Sequence, residues 1–274
     1  MTEDAPAKIN LCLFVGPIRE DGRHELVSVM ESISLADTLH LEELPGGAGD
    51  EVVCEGVEDT LVTRTIEAFR ATTGWDGRPV RITIEKRIPV AAGLGGGSAD
   101  AAAALRLLAR ASGLGDPATL HDIATTLGSD VPGQVEPGRV LATGAGERIE
   151  RLPPPEPYGV LVLPSREQLS TPAVYAEADR LRPPRTADQL AEALERVRRD
   201  GAPPVNDLQD AARALAPSID DALEAARRAG ARTAMVAGSG PTVLGLFGTP
   251  EEAARAAEEL GGGAVAARPV VACA

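Results

Sequence analysis

Pro89-Val-Ala-Ala-Gly93-Leu94-Gly95-Gly96-Gly97-Ser98-Ala99-Asp100 is the stretch on which the reading of this chain turns. Upstream, Val80 to Ile88 alternates apolar and polar residues as a half-buried strand does. Downstream, Ala101, Ala104, Leu105, Leu108 and Ala111 recur at helical spacing from Ser98 to Ala111, and Gly113 offers a stop. A strand, a run of glycines and a helix in that order expose backbone N–H groups at a positive helix end, which suits a phosphate chain. No Lys-Ser/Thr pair follows the glycines, so this is not a Walker A loop, and Ser98 stands where the Rossmann fingerprint needs its last glycine. The plain alternative is a tight turn with Ser98 as a simple N-cap.

Around this loop the first ninety residues read as strands, notably Ile9 to Val15 and Ile33 to Leu41, with a helix at Leu61 to Phe69. Leu152-Pro-Pro-Pro-Glu-Pro157 interrupts the pattern, because such a segment can neither continue a helix nor enter a central strand. A boundary there divides the chain into residues 1–153 and 154–274. The second part reads as a strand at Gly159 to Leu163, helices at Thr186 to Arg199 and Ile219 to Ala229, and strands at Ala234 to Val236 and Val243 to Phe247. A helix capped by Thr249 and Glu252 and ending at Gly261 follows, then a strand through Val265 to Val271. The order fits an α+β sandwich with helices over one face of a sheet. Arg180 to Thr186 reads as a flexible surface loop.

Composition narrows the function. A formal charge of −14 opposes broad binding to nucleic acid or anionic membrane. Apolar residues are 43% of the chain but aromatics only 2%, so the interior must be built from Ala, Val, Leu and Ile. Cys12, Cys54 and Cys273 are odd in number and far apart, as ordinary reduced thiols are. No apolar run approaches the roughly 18 to 20 residues of a membrane span, and Met-Thr-Glu-Asp does not begin a secretory leader. A cytoplasmic protein, a monomer or weak homodimer, is the expectation.

Pro89 to Ala102 resembles the phosphate-binding motif of the GHMP kinase superfamily. Ala5-Pro6-Ala7-Lys8-Ile9-Asn10-Leu11 is similar to its first motif, and Val236-Ala-Gly238-Ser239-Gly240-Pro241-Thr242-Val243 to its third. Asp21-Gly22-Arg23-His24-Glu25-Leu26, Ser34 to Asp37, Leu127 to Pro132, Thr143 to Glu147 and Asn206-Asp207-Leu208 resemble the diphosphocytidyl-methylerythritol kinases within it. The resemblance implies a two-domain α+β fold, with an N-terminal sandwich like the second domain of ribosomal protein S5 and a C-terminal ferredoxin-like domain. It also implies ATP with Mg²⁺ and a cytidine diphosphate derivative as the small-molecule substrate.

By the same match Asp130 is the catalytic base and Lys8 its cationic partner. Pro89, Ala91, Gly93, Leu94, Gly95, Gly96, Gly97, Ser98 and Ala99 would hold ATP, with the Ser98 hydroxyl a candidate Mg²⁺ ligand beside phosphates and waters. Asn10, His24, Arg23, Tyr175, Gly238, Ser239 and Gly240 would hold the substrate, His24 and Tyr175 at the cytosine ring. Taken alone, Asp130 reads as a turn or cap residue and His24 as a solvated turn residue, while Lys8 fits an edge-strand lysine or a buried one with a partner equally well, and Tyr175 fits core packing or base stacking equally well. The chain departs from the family pattern at Arg23, where an aromatic is usual, at Gly133-Gln134, and at Thr60, which replaces an asparagine near the adenine. The alternatives are another GHMP kinase for a small alcohol such as homoserine or mevalonate, and a catalytically silent nucleotide-binding regulator.

Overall fold

In the computed structural model, which describes residues 1–46, 49–56 and 60–270, the alternating N-terminal segments form two long antiparallel strands. β1 (Thr2–Ile18) pairs with β2 (His24–Glu43), placing Lys8 opposite Ser32. The register shifts between Pro6 and Lys8 and again between Asn10 and Cys12. Irregularities of this kind bend a strand and re-aim its side chains. Lys8 and Asn10, two residues apart, share a face between them.

β2 is the spine of the first sheet, whose order is β3 (Glu51–Cys54), β4 (Val80–Glu85), β2, β5 (Arg139–Gly144), β6 (Arg148–Arg151). α1 (Leu61–Thr73) lies between β3 and β4 in the chain, and α2 (Gly96–Ser112), α3 (Pro117–Leu127) and the short α4 (Val131–Gln134) between β4 and β5. The expected helix after the glycines is α2, ended by Gly113 in the left-handed conformation. It is more central than a single apolar stripe suggested, since Ala102, Ala103 and Leu107 are buried as well. The alanines let the helix approach β1 closely, which is how a core nearly without aromatics fills its space.

The second sheet has the order β10 (Val265–Ala267), β7 (Gly159–Leu163), β9 (Val243–Phe247), β8 (Thr233–Val236), all antiparallel. α5 (Thr171–Leu181), α6 (Ala187–Asp200), α7 (Gln209–Leu215) and α8 (Ser218–Arg228) precede β8, and α9 (Pro250–Leu260) follows β9. Thr186 with Gln189, and Thr249 with Glu252, close full capping boxes on α6 and α9. Among the described residues no helix is long and apolar enough to cross a membrane.

Two expectations change. The strand through Val265 to Val271 stops pairing with β7 at Ala267. The chain then returns to β2, with the Ser34 N–H bonded to Arg268 O and the Val270 N–H to Ser32 O, each at 2.8 Å. Val271 and Cys273 lie outside the described residues, while Cys12 and Cys54 are free thiols. The supposed loop at Arg180 to Thr186 begins inside α5 and is docked. Arg185 forks onto Asp207 at 2.6 and 2.8 Å and lies 4.8 Å over the Phe14 ring, and its N–H donates to Val15 O. Arg185 gives no local sign of this because its partner is 22 residues downstream. α5 itself carries no periodicity strong enough to have been singled out.

Asp207 also accepts the Val15 N–H at 3.0 Å, so this one carboxylate joins the second half of the chain to β1. Replacing it leaves Arg185 and that N–H unpaired. Asp207→Ala should therefore cost ~2 kcal/mol in urea unfolding, and a change of a few tenths would remove the residue from this role.

Candidate active site

One cleft of about 830 Å³ gathers residues from both halves of the chain. Its floor is Lys8. The Lys8 ammonium donates to Asn10 Oδ1 at 2.9 Å and lies 3.3 Å from Asp130 Oδ2, although only 7% of the residue is exposed. Asn10 is fixed in turn, its amide donating to Ser28 Oγ at 2.7 Å, and that hydroxyl to Cys12 O. Although β1 pairs with β2 on one side only, Lys8 is not a solvated edge lysine: it is buried, with two oxygen partners. Asp130 stands at the N-cap position of α4 but makes no capping bond, and its carboxylate is directed to the ammonium.

The glycine loop folds directly over this pair. The Lys8 N–H donates to Leu94 O at 2.9 Å. Gly95 (φ 68°) lies so near that a Cβ there would stand 2.9 Å from Lys8 Cγ. Gly93 (φ 76°) meets the third motif, where a Cβ would collide with the carbonyls of Ala237 and Gly240. Both positions require glycine for conformation and for space. Gly95, not Ser98, is the N-cap of α2; no side chain caps that helix, and Ser98 is its third residue. The first turn thus keeps N–H groups without a side-chain cap at a positive helix end, an arrangement that suits an anion.

Most of the expected contacts line the cleft: Asn10, Arg23, His24, Pro89, Ala91, Gly93 to Ser98, Tyr175, Gly238 and Ser239. Ala99 and Gly240 are set apart from it. Ala99 is 1% exposed and bonds its N–H to Gly95 O, while the Gly240 N–H is taken by Ala237 O at 2.7 Å. Asn206 holds the third loop in place, its amide donating to Val236 O and Gly238 O at 2.9 and 2.8 Å.

At the end beyond Asp130, the His24 and Tyr175 rings lie 5.2 Å apart at 30°. His24 Nδ1 donates to Gly16 O at 2.8 Å and Nε2 lies 3.2 Å from Asp179 Oδ2. Burial, reinforced by the negative charge of Asp130, raises the Tyr175 phenol and keeps it protonated. Arg23 is 51% exposed at its side chain and holds Asp21 through Nε and a terminal nitrogen, at 3.1 and 2.8 Å. Such in-plane bonds leave the guanidinium faces open for stacking.

Under the glycine loop the structure adds a cluster that the sequence reading passed over. Lys86, on the segment leaving β4, bonds Asp37 at 2.5 Å and Asp100 at 2.8 Å. Asp37 also accepts the N–H groups of Arg87 and Ile88, so the strand exit and the first turns of α2 are pinned together. Burial works against the Lys86 ammonium, yet its two carboxylate partners outweigh it and raise its pKa. With two acids on one ammonium, burial pushes Asp100 up to about 7, Lys86 opposing and the charge of Asp37 assisting. The available signal was a lone Asp inside the alanine run Ala99 to Ala104 and a Lys at a strand end.

The fold and this cleft define a small-molecule kinase: an uncapped helix for phosphates, a carboxylate–ammonium pair beside it, and a second binding end beyond. Comparison with known proteins agrees. Residues 60–138 match the GHMP kinases N terminal domain and residues 185–264 the GHMP kinases C terminal. The 4-diphosphocytidyl-2-C-methyl-D-erythritol kinase of Anaeromyxobacter dehalogenans is 41% identical, covering 89% of this chain and 79% of that protein. The one from Nocardia farcinica is 41% identical, covering 96% and 90%. A crystal structure of 4-(cytidine 5'-diphospho)-2C-methyl-D-erythritol kinase superposes with a TM-score of 0.80 at 36% identity, covering 99% of this chain and all of that one. Homoserine kinase from Cytophaga hutchinsonii, at 17% identity and a TM-score of 0.71 over 99% and 95% of the two chains, shares the fold. The chain belongs to the 4-diphosphocytidyl-2-C-methyl-D-erythritol kinase family of the GHMP kinases.

The Asp100 assignment has a definite sign. A carboxyl whose folded pKa is raised keeps its proton after the unfolded chain has lost it, so stability falls as pH rises from about 3.8 to about 7. Asp100→Asn cannot titrate. Its stability relative to the parent should rise by on the order of 1 kcal/mol per pH unit across that window and then level off, measured by denaturation between pH 4 and 8. A difference independent of pH would place the Asp100 carboxyl outside this titration.

Proposed function

We propose that this protein transfers the γ-phosphoryl group of ATP to the 2-hydroxyl of 4-diphosphocytidyl-2-C-methyl-D-erythritol, a step of the non-mevalonate isoprenoid pathway. The observation that carries the reading is the position of the Lys8–Asp130 pair, 3.3 Å apart, between the glycine loop and the His24–Tyr175 end of one cleft. The names of the relatives supply the substrate.

In this reading the N–H groups at the start of α2 and the glycine loop hold the phosphates, and Asn10, Gly238 and Ser239 hold the substrate near Lys8. Asp130 takes the proton of the attacking hydroxyl as its oxygen bonds to the γ-phosphorus. The bond from that phosphorus to the bridging oxygen breaks, and ADP leaves. Lys8 places a positive charge where the transferring group spreads its negative charge, within a site that cannot reorganise because Asn10 and Leu94 fix the lysine. The Ser98 hydroxyl, in the first turn of α2 on the cleft wall, is a hard oxygen donor that fits Mg²⁺ carried mainly by the ATP phosphates and waters, and the ion would shield the phosphate charge.

The division at residues 153 and 154 belongs to the same reading. It is supported by the absence of regular structure between Arg151, where β6 ends, and Gly159, where β7 begins. A cytoplasmic location is supported by the ATP requirement. A silent regulator has no physical need for both members of the Lys8–Asp130 pair.

Two measurements test the proposal. ADP release with Mg·ATP should occur with the diphosphocytidyl compound and not with homoserine or mevalonate; turnover of another alcohol alone would overturn the substrate. Asp130→Asn should bind both substrates and lose a factor of about 10² to 10⁴ in kcat. Near-normal turnover would remove Asp130 from the chemistry.

A further inference from the structure

We infer that Gln134, the last residue of α4, is a positioning residue for phosphoryl transfer: its side-chain amide holds the phosphate loop in register with the turn that starts at Asp130. The inference rests on the proposed transfer from ATP at the Lys8–Asp130 pair. It concerns a point where the sequence departs from the family pattern, Gly133-Gln134.

α4 is a single turn, Val131–Gln134. One turn fixes several dihedral angles for very few backbone bonds, so it does not hold its own shape in water. The Val135 N–H closes it onto Val131 O at 3.1 Å, and tertiary contacts do the rest. Arg106 of α2 donates to Gln134 O and Val135 O from one terminal nitrogen, at 2.8 and 3.2 Å. Its Nε donates to Glu3 at 2.6 Å and its other terminal nitrogen to Asp4 O at 2.8 Å, so the guanidinium is itself held. The turn that begins at the proposed base is thus anchored at its C-terminal end to α2, the helix whose N-terminus holds phosphates in the same reading.

Gln134 makes a second link to α2, at its N-terminus. The Gln134 Nε2 donates to Gly95 O at 3.3 Å. That orientation of the amide follows from its partner, because a carbonyl oxygen only accepts. Gly95 lies between this amide and the Lys8 stem: a Cβ there would stand 3.1 Å from Gln134 Nε2 and 3.0 Å from Lys8 Cε. The glycine loop therefore touches the proposed reaction centre on two sides, at Lys8 directly and at Asp130 through Gln134.

Two features separate this bond from ordinary stabilisation of the fold. Gly95 O already accepts the Ala99 N–H at 2.9 Å, so α2 does not need Gln134 to satisfy that carbonyl. Gln134 is only 3% exposed, and its Oε1 is buried without a hydrogen-bond partner among the described residues. An unpaired buried acceptor costs stability, and an apolar side chain of similar length avoids the cost. Breaches of this kind are retained at functional sites. Gln134 joins the two groups whose separation the reaction has to fix, the loop that carries the γ-phosphoryl group and the turn that carries the carboxylate. A misplacement of about 1 Å between reacting groups can cost on the order of 10²-fold in rate.

The test is Gln134→Met in the full chain, an unbranched side chain of similar length that cannot donate and brings no amide oxygen. With Mg·ATP and the diphosphocytidyl compound, kcat should fall roughly 10-fold. Affinity for a non-hydrolysable ATP analogue, measured by calorimetry, should stay within about twofold of the parent, because the loop and the N–H groups of α2 move together. The urea midpoint should equal that of the parent or exceed it. A lower urea midpoint with kcat unchanged would assign Gln134 to the fold alone and overturn the inference. Weaker binding of the ATP analogue with kcat unchanged would make it a binding contact, and would overturn it too. Should the methionine variant fail to fold, Gln134→Asn, which keeps the amide and shortens its reach by a methylene, carries the same test. Turnover separates the two proposals. A parent that phosphorylates the diphosphocytidyl compound while Gln134→Met keeps its kcat retains the proposed function and loses this inference. A parent that phosphorylates another alcohol, with kcat on that alcohol lowered in Gln134→Met, loses the substrate and keeps the inference.

Discussion

The backbone N–H of Lys8 bonds Leu94 O while its side chain reaches Asn10 and Asp130, and every other part of the site is arranged around that residue. A buried ammonium is costly unless its partners are fixed, so each partner is held by something further out. Asn10 is held by Ser28 of β2 and the glycine loop by its contact with the third motif, while Asn206 steadies that motif from the second half of the chain. The two irregularities in β1 on either side of Lys8 and Asn10 are the local cost of directing both side chains into the cleft.

The acidity of the protein sets its central electrostatic problem. A chain of net charge −14 has to bind phosphates, and no broad basic face solves this. In the proposed reading local geometry does, through an uncapped helix N-terminus and the buried Lys8 ammonium in a site partly screened from solvent. Beneath the loop, Asp37 and Asp100 share Lys86, and a raised Asp100 pKa keeps part of that negative charge neutral close to the phosphate end.

Several local signals were read correctly, although the Asp116 cap of α3 and the Ser170 cap of α5 were passed over. The strand and helix around the glycines, the Gly113 stop, and the Thr249–Glu252 capping box all depend on neighbours within a few residues. Distant partners were invisible. Arg185 gave no local sign of its docking because Asp207 lies far along the chain, and the C-terminal strand looked continuous because nothing local reveals that it leaves one sheet at Ala267 and rejoins another at Arg268. The short helix carrying Asp130 resembles a turn in sequence, and Lys86 with Asp100 resembles two unrelated charges.

By itself the sequence determined the α+β class, the position of the phosphate loop, and, through resemblance, the roles expected of Lys8 and Asp130. These follow from periodicity, glycine content and motif order, which are properties of short stretches. Tertiary structure decided which groups face the cleft. It brought Asp130 to Lys8 across 122 residues, turned the N–H groups of Ala99 and Gly240 inward, and set Asp179 beside His24. The physical reason is that a side chain's role depends on the charges and hydrogen-bond partners within a few ångströms, and in this fold those partners come from strands and helices far apart in the chain.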